Sequence, residues 1–523
     1  MRVKLSLILI SALILILLLS PLVLPSKAPV RDEPASAPAW TWALFSQVQA
    51  MTPSAVSELE EIGPIPQYRL WLDVSFTADG PRLSGHGRLD YINNEGVALN
   101  ELYLRLYPNG GLTYGSGSLS LDRVMINGKP VKPLLELGET AVRLELEEPL
   151  LPGETLVLEM DFSGEVPRDF SGPASYGIYD YTGGMLKLAN WFPILAAYDE
   201  DGWHLDPFYS WGDAVYSETA LFEVRITAPA EQMVVATGTE LEAVPQEGGR
   251  VTHHYVSGPV RDFFVAMSPE LERLTSQVGE TVINSYYLKG DEAGGRKALE
   301  MAMAALELFN LRFGPYPFAE LDLLETPLPW AGGVEYPGIV LISDKLYGPP
   351  EYLARKEPFF AMILSHEVAH QWWYSLVGND VIREPWLDEA LATYSSGIYA
   401  QEVSGEAAYQ ELLSGWWYNY HRARAQVEAP ITAPLEQFHN NSIYYGIVYC
   451  GGALFYHELR AILGDEVFFA GLQEYLQRFK YGVATTGELL ALFEEVSGRE
   501  LDELYNRWLF APVNMVSAEA RAE

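Results

Sequence analysis

His366 and His370, in the run HEVAHQWW at 366–373, have the types and spacing that most directly imply chemistry. A helix turns about 100° per residue, so the two imidazoles stand one turn apart, about 40° out of line, and can reach one ion. Glu367 lies about a quarter-turn round, close enough to touch a water at that ion but poorly aimed to bind the ion itself, which suits a general base. With nine His in 523 residues, H-E-x-x-H arises by accident in roughly one chain in a hundred, so it needs support. A catalytic zinc takes three protein ligands and leaves one position open. Glu389, nineteen residues past His370 in EPWLDEALATY, is the candidate third ligand, although proximity alone would favour an ordinary surface carboxylate.

These side chains need two helices to position them. For the first, Pro358 suits an opening turn, Gly378 a C-terminal cap, and Phe359, Met362, Ile363 and Ala369 give apolar spacing. For the second, Pro385 suits the first turn, and Trp386, Leu387, Ala390 and Leu391 supply a buried stripe that would carry Glu389 beside the histidines.

HEVAHQWWYSLVGND followed by WLDEALATY resembles the zinc-site pattern of the aminopeptidase N family, the gluzincins that also include leukotriene hydrolase: H-E-x-x-H, eighteen residues, then E. Upstream, GGVEYPG at 332–338 is similar to the family's G-x-M-E-N segment. Downstream, YYGIVYCGG at 444–452 is similar to the segment carrying its catalytic tyrosine. The likeness begins near residue 65 and covers nearly all the chain beyond it. The short tail after LDELYNRWLFAP matches a form lacking the long C-terminal helical domain of many relatives, which implies a more open cleft.

The resemblance implies an α+β multidomain fold: an N-terminal antiparallel β domain followed by a thermolysin-like mixed α/β zinc-peptidase domain. It implies one Zn2+ per chain on His366, His370 and Glu389, with Glu367 as base and Tyr449 donating to the oxyanion that develops on the substrate carbonyl. Tyr444 matches a second active-site tyrosine. Glu335 matches the residue that holds the substrate's free α-ammonium. Gly332 and Gly333 lack side chains and let the backbone approach a bound peptide closely. Four departures stand out. Val334 and Tyr336 replace the usual Met and Asn, Gly451 replaces a Lys, and the family's second amine-binding residue aligns near Gly184, where neither Gln nor Glu occurs. WFPILAAYD at 191–199 sits where the family carries a loop closing over the substrate's amino end.

In chain order, Arg2 and Lys4 precede an apolar run at 5–24, so residues 1–25 read as a signal peptide or membrane anchor and place the protein outside the cytoplasm, tethered or secreted. Residues 26–66, rich in Pro and Ala, read as a linker or loosely docked tail with a short helix between 41 and 61. Alternating apolar and polar runs mark a β domain at 67–270. The neighbours His253 and His254 point to opposite faces of a strand and read as ordinary strand residues. Helix and strand then mix in a catalytic domain at 271–523, where GIVLIS reads as a strand whose edge could pair with a peptide. The single cysteine, Cys450, excludes both an internal disulfide and N-terminal lipidation, and reads as a small buried helix residue.

A formal net charge of −36, from 34 basic and 70 acidic residues, makes nucleic acid an improbable partner and disfavours acidic peptides at low salt. Together these features point to a zinc-dependent aminopeptidase acting on peptides with a free N-terminus. The rivals are an extracytoplasmic zinc endopeptidase or other zinc hydrolase and, outside enzymes, a catalytically silent surface binding protein.

Overall fold

The computed structural model describes residues 46–78, 80–168 and 176–510. The chain divides into Met1–Trp42 and Ala43–Glu523, and the description concerns the second unit. The expected signal or anchor segment, and the linker as far as residue 45, lie outside the described residues. Among the described residues no helix is long and apolar enough to cross a membrane. From residue 46 the chain is seated rather than trailing: it forms two short turns, Val48–Ala50 and Glu58–Glu61, buries Ala50 and Met51, and donates the Thr52 N–H to the Pro317 carbonyl at 2.8 Å.

Period-two patterning builds the first half. Strand Gln67–Thr77 turns Leu70, Leu72 and Val74 inward and Trp71, Asp73 and Ser75 outward, and it centres an eight-stranded sheet accompanied by two four-stranded sheets. Pairing in the large sheet is antiparallel apart from the parallel contact of Gln67–Thr77 with Leu221–Pro229. His253 and His254 sit in the strand Arg250–Val256 and pair separately, with Glu240 at 2.7 Å and Glu223 at 3.1 Å. The WFPILAAYD segment belongs to the core and does not close over a cleft. Trp191 and Phe192 are fully buried, the Trp191 indole donates to the Phe263 carbonyl at 2.9 Å, and Ile194–Leu195 pairs with the strand Leu99–Arg105. Seven consecutive apolar residues, 191–197, all buried, satisfy a core better than a moving loop.

The second half opens on a five-stranded sheet in the order Leu271–Val278, Thr281–Leu288, Glu320–Thr326, Ile339–Ser343, Gly333–Tyr336. GIVLIS is therefore not an edge. Its strand lies inside the sheet, parallel to Glu320–Thr326, and the edge is the short antiparallel strand Gly333–Tyr336. The complete burial of Ile339–Ser343 explains the difference, since five successive buried residues fit an interior strand.

Against this sheet pack the helices Glu292–Arg312 and Pro350–Ala369; Trp386–Tyr399 packs on the second of these, followed by Glu406–Arg424 and Gly452–Leu463. The helix carrying His366 starts at Pro350, earlier than Pro358 suggested. Pro358 lies within it on an exposed flank, where water can serve the carbonyl that its missing N–H leaves free. Gly378 caps nothing: the helix ends at Ala369, and a Cβ on Gly378 would sit 2.2 Å from the Arg261 guanidinium carbon. Arg261 is a joint between the halves. Its Nε donates to the Tyr374 carbonyl at 2.9 Å, one terminal nitrogen to the Ser217 carbonyl at 3.0 Å, and the other to the Gly482 carbonyl. The Tyr374 hydroxyl in turn donates to the Val215 carbonyl at 2.6 Å, so the segment through Asp213 is held against the catalytic half.

Candidate metal centre and active site

His366 and His370 lie at the C-terminal end of Pro350–Ala369, and Glu389 lies in the first turn of Trp386–Tyr399. The packing of these two helices brings three ligand atoms into a triangle. The Nε2 atoms of His366 and His370 are 3.2 Å apart, and Glu389 Oε2 stands 3.3 and 3.4 Å from them. A tetrahedral site with bonds of about 2.0–2.1 Å has edges of about 3.3 Å, so the triangle fits zinc. The donor chemistry agrees. Glu389 Oε2 is buried and accepts no hydrogen bond, while His370 Nδ1 lies 3.1 Å from the Trp373 carbonyl, a contact that orients the ring with Nε2 toward the triangle. A second grouping, Glu335 with Glu367 and His370, shares His370 with the first.

Burial would raise the Glu389 carboxyl, but the His366 and His370 imidazoles outweigh it and hold the group down at about 2. Its neighbours go the other way. Burial, reinforced by Glu335, pushes Glu367 well above the carboxylate range, and burial with Glu335 and Glu389 does the same to Asp213. Asp388, beside the ligand, is pushed up to about 8 by burial and then by Glu389, although the Asn379 amide donates to it at 3.0 Å. Burial disfavours charge on His370, yet Glu335 and Glu389 more than reverse this and raise it well above the imidazole range. Five carboxylates around two imidazoles make a site that binds cations.

Edge strand and motif helix touch. A Cβ on Gly333 would fall 2.4 Å from Glu367 Cγ, and one on Gly332 would fall 2.8 Å from Ile363 Cδ1. Both glycines line the cavity, but the close approach they permit is to the helix itself. Strand alternation turns Glu335 toward the cavity and Tyr336 away from it: the Tyr336 ring is buried and stacks on Phe264 with centroids 4.4 Å apart. Tyr336 therefore takes no part in shaping the pocket. Its backbone carbonyl accepts from Gln371 Nε2 at 3.0 Å, tying the strand to the residue after His370.

Tyr449 lies on a π-helical stretch, Tyr445–Gly451, of the kind that often marks a functional site. Its hydroxyl donates to Glu389 Oε1, and its ring stacks on His366 with centroids 5.7 Å apart. Burial first, then Glu389, keeps the phenol protonated. Tyr444 packs edge-on against Tyr449 at 5.5 Å and lines the cavity. The departure at Gly451 has a steric cause, since a Cβ there would lie 2.7 Å from the Tyr420 ring. Cys450 is buried, and burial pushes its thiol up to about 12, so it is inert.

The cavity holding these groups has a volume of about 420 Å³. Asp213 and Tyr176, from the β half, line it beside Glu335. Sequence reasoning did not find Asp213, because the segment around it has no period and long-range ties, Tyr374 to Val215 and Trp211 to Leu435, deliver it to the cleft. Gly184, where the second amine anchor aligns, forms the turn between Tyr179–Thr182 and Met185–Leu188 at φ 82° and is not among the lining residues.

Comparison with known proteins agrees with this geometry. Residues 297–508 match the model for the peptidase family M1 domain. Aminopeptidase 2 of Candida albicans is 23% identical over 76% of this chain and 43% of its own length. Aminopeptidase M1-C of Oryza sativa is 26% identical over 77% of this chain and 46% of its own. The chain thus spans less than half the length of these curated relatives. An M1 zinc metallopeptidase from Deinococcus radiodurans superposes with a TM-score of 0.63 at 23% identity, covering 85% of this chain and 92% of that one. A variant of that metallopeptidase bound to a Tyr-Ser-Ala substrate gives 0.62 at 24% identity over 85% and 93%. These likenesses establish the two-domain fold.

Proposed function

Residues 297–508 of this chain match the model for the peptidase family M1 domain, and from that premise we infer that the protein is a zinc-dependent aminopeptidase, hydrolysing the first peptide bond of peptides with a free N-terminus. The observation that carries the reading is the pairing of Glu335 and Asp213 in one cavity with the His366–His370–Glu389 triangle. Two carboxylates beside a metal site suit an ammonium one residue from the reacting carbonyl. Asp213 supplies the second amine contact that Gly184 does not.

Zinc held by His366, His370 and Glu389 supplies Lewis acidity, polarising a carbonyl and acidifying water. One ion per chain is expected, because the alternative grouping needs His370 as well. The edge strand Gly333–Tyr336 pairs with the extended substrate backbone. Glu335 and Asp213 hold the ammonium, so that only the first carbonyl reaches the triangle. Glu367, fixed against Gly333, takes the proton of the attacking water and passes it to the leaving amine. Tyr449 turns its hydroxyl from Glu389 to the oxygen on which charge develops.

The basic residues Arg2 and Lys4 and the apolar run at 5–24 support export, with the chain either tethered to a membrane or released. Hydrolysis of matched peptides with free and acetylated N-termini, with and without a zinc chelator, tests the function. Chelator-sensitive release from free N-termini alone is the expected result. Internal cleavage of both peptides would make the protein an endopeptidase.

A further inference from the structure

The catalytic cavity adjoins a second one that the reaction above does not use. Phe359, Met362 and Ser396 line both. The second, about 750 Å³, lies between Glu292–Arg312, the first half of Pro350–Ala369 and the start of Glu406–Arg424. Its surface is largely apolar, and two of its side chains, Phe359 and Val403, remain 49% and 48% exposed.

Strand and helix together fix the direction in which a substrate runs. Glu335 groups with Glu367 and His370, Gly333 lies against Glu367, and Gly332 lies against Ile363. Moving from Glu335 back along the strand therefore means moving from His370 toward the N-terminal half of the helix. A peptide with its ammonium at Glu335 and its first carbonyl at the ligand triangle continues toward Ile363, Met362 and Phe359. Seven helical residues separate Phe359 from His366, about 10 Å along the axis. An extended chain covers that in about three residues.

We propose that this groove seats the third to fifth residues of the substrate, and that the protein selects peptides of four or more residues with apolar side chains there. The proposal rests on the aminopeptidase reading and deepens it. Charge sharpens the selection. Lys297 at the rim is paired with Glu357, which leaves the exposed Glu300 and Glu411 to repel acidic side chains and the C-terminal carboxylate of a shorter peptide.

The test is kcat/KM for unblocked peptides of two to seven residues beginning with Leu, with Phe, Ser or Glu at position four, measured for the wild type and Val403→Glu. In the wild type, the pentapeptide with Phe should exceed the dipeptide by about tenfold or more, and Glu at position four should remove most of that gain. Val403→Glu, on a half-exposed position, should flatten the ratio. Equal values across length and composition in the wild type, a comparison that needs no variant, would overturn the groove and leave the aminopeptidase standing. A ratio untouched by Val403→Glu, with the circular dichroism spectrum unchanged, would do the same. Failure to hydrolyse any peptide would overturn both readings.

Discussion

Tyr449 donates its hydroxyl to one oxygen of Glu389 while the other oxygen faces the two imidazoles, so a single carboxylate joins the candidate metal centre to the candidate oxyanion donor. In the proposed mechanism the phenol leaves this hydrogen bond to make one to the substrate oxygen. Tyr449→Phe should therefore lower kcat by about 10²–10³ with little change in KM. Steady-state kinetics on an unblocked peptide checks this, and a rise in KM alone would assign Tyr449 to binding.

In the proposed mechanism Glu367 is the base for the attacking water and not a ligand. Glu367→Gln should keep zinc at wild-type stoichiometry by atomic absorption and lose about 10²–10⁴ in kcat. Loss of zinc along with activity would move Glu367 into the ligand set.

Metal binding should also appear without any turnover. Adding zinc to the chelated protein should raise Tm, by about 2.7 kcal/mol of stabilisation when the ion is at a hundred times its Kd. His366→Ala, which removes one corner of the triangle, should abolish the shift.

Much of this site was legible from residue spacing, because helical geometry is local: His366, His370 and Glu367 need only one regular helix to take their relative positions. The edge strand was harder. Gly333–Tyr336 is four residues long, and GIVLIS, being longer and more apolar, reads as the better strand; which of the two lies outermost depends on the neighbours each finds in the sheet. Asp213 was not legible at all. Arg261 and Tyr374 on one side, and the Trp211 indole donating to the Leu435 carbonyl at 2.9 Å on the other, clasp the segment on which it lies, and no local pattern encodes a clasp between residues so far apart in the chain.

Gly333 presents a steric test of the strand–helix contact. A methyl group there meets the stem of Glu367, so Gly333→Ala should displace the base and lower kcat/KM, at a cost of about 1–3 kcal/mol in stability. Gly487, with open space around it, is the control: Ala at that position should leave activity intact.

Away from the metal centre, His204 predicts a pH effect. Its side chain is almost fully enclosed, 2.6 Å from Asp199 and within 3.6 Å of Asp206 and Asp380, with Arg383 also bonded to it and Tyr216 packed edge-on. Burial opposes its charge, but Asp206, Asp199 and Asp380 outweigh burial and Arg383 and raise its pKa. A raised folded-state value means that the stabilisation is complete below the unfolded imidazole pKa and is lost as pH rises through the folded one. The Tm gap between the wild type and His204→Gln should therefore be wide near pH 6 and narrow near pH 9. A gap independent of pH would show that His204 acts by packing alone.

Arg261 has a consequence for how such a protein can vary. All three of its guanidinium bonds end on main-chain carbonyls, those of Ser217, Tyr374 and Gly482, and carbonyls are the same whatever side chain accompanies them. Ser217 is bound a second time, since its Oγ donates to the Arg261 carbonyl at 2.7 Å, but the side chain at 482 could change without loosening the joint between the two halves, provided the arginine and the bare α-carbon of Gly378 beside it persist. A joint of this kind leaves almost no trace in sequence and still lets the rim of the cleft diversify freely.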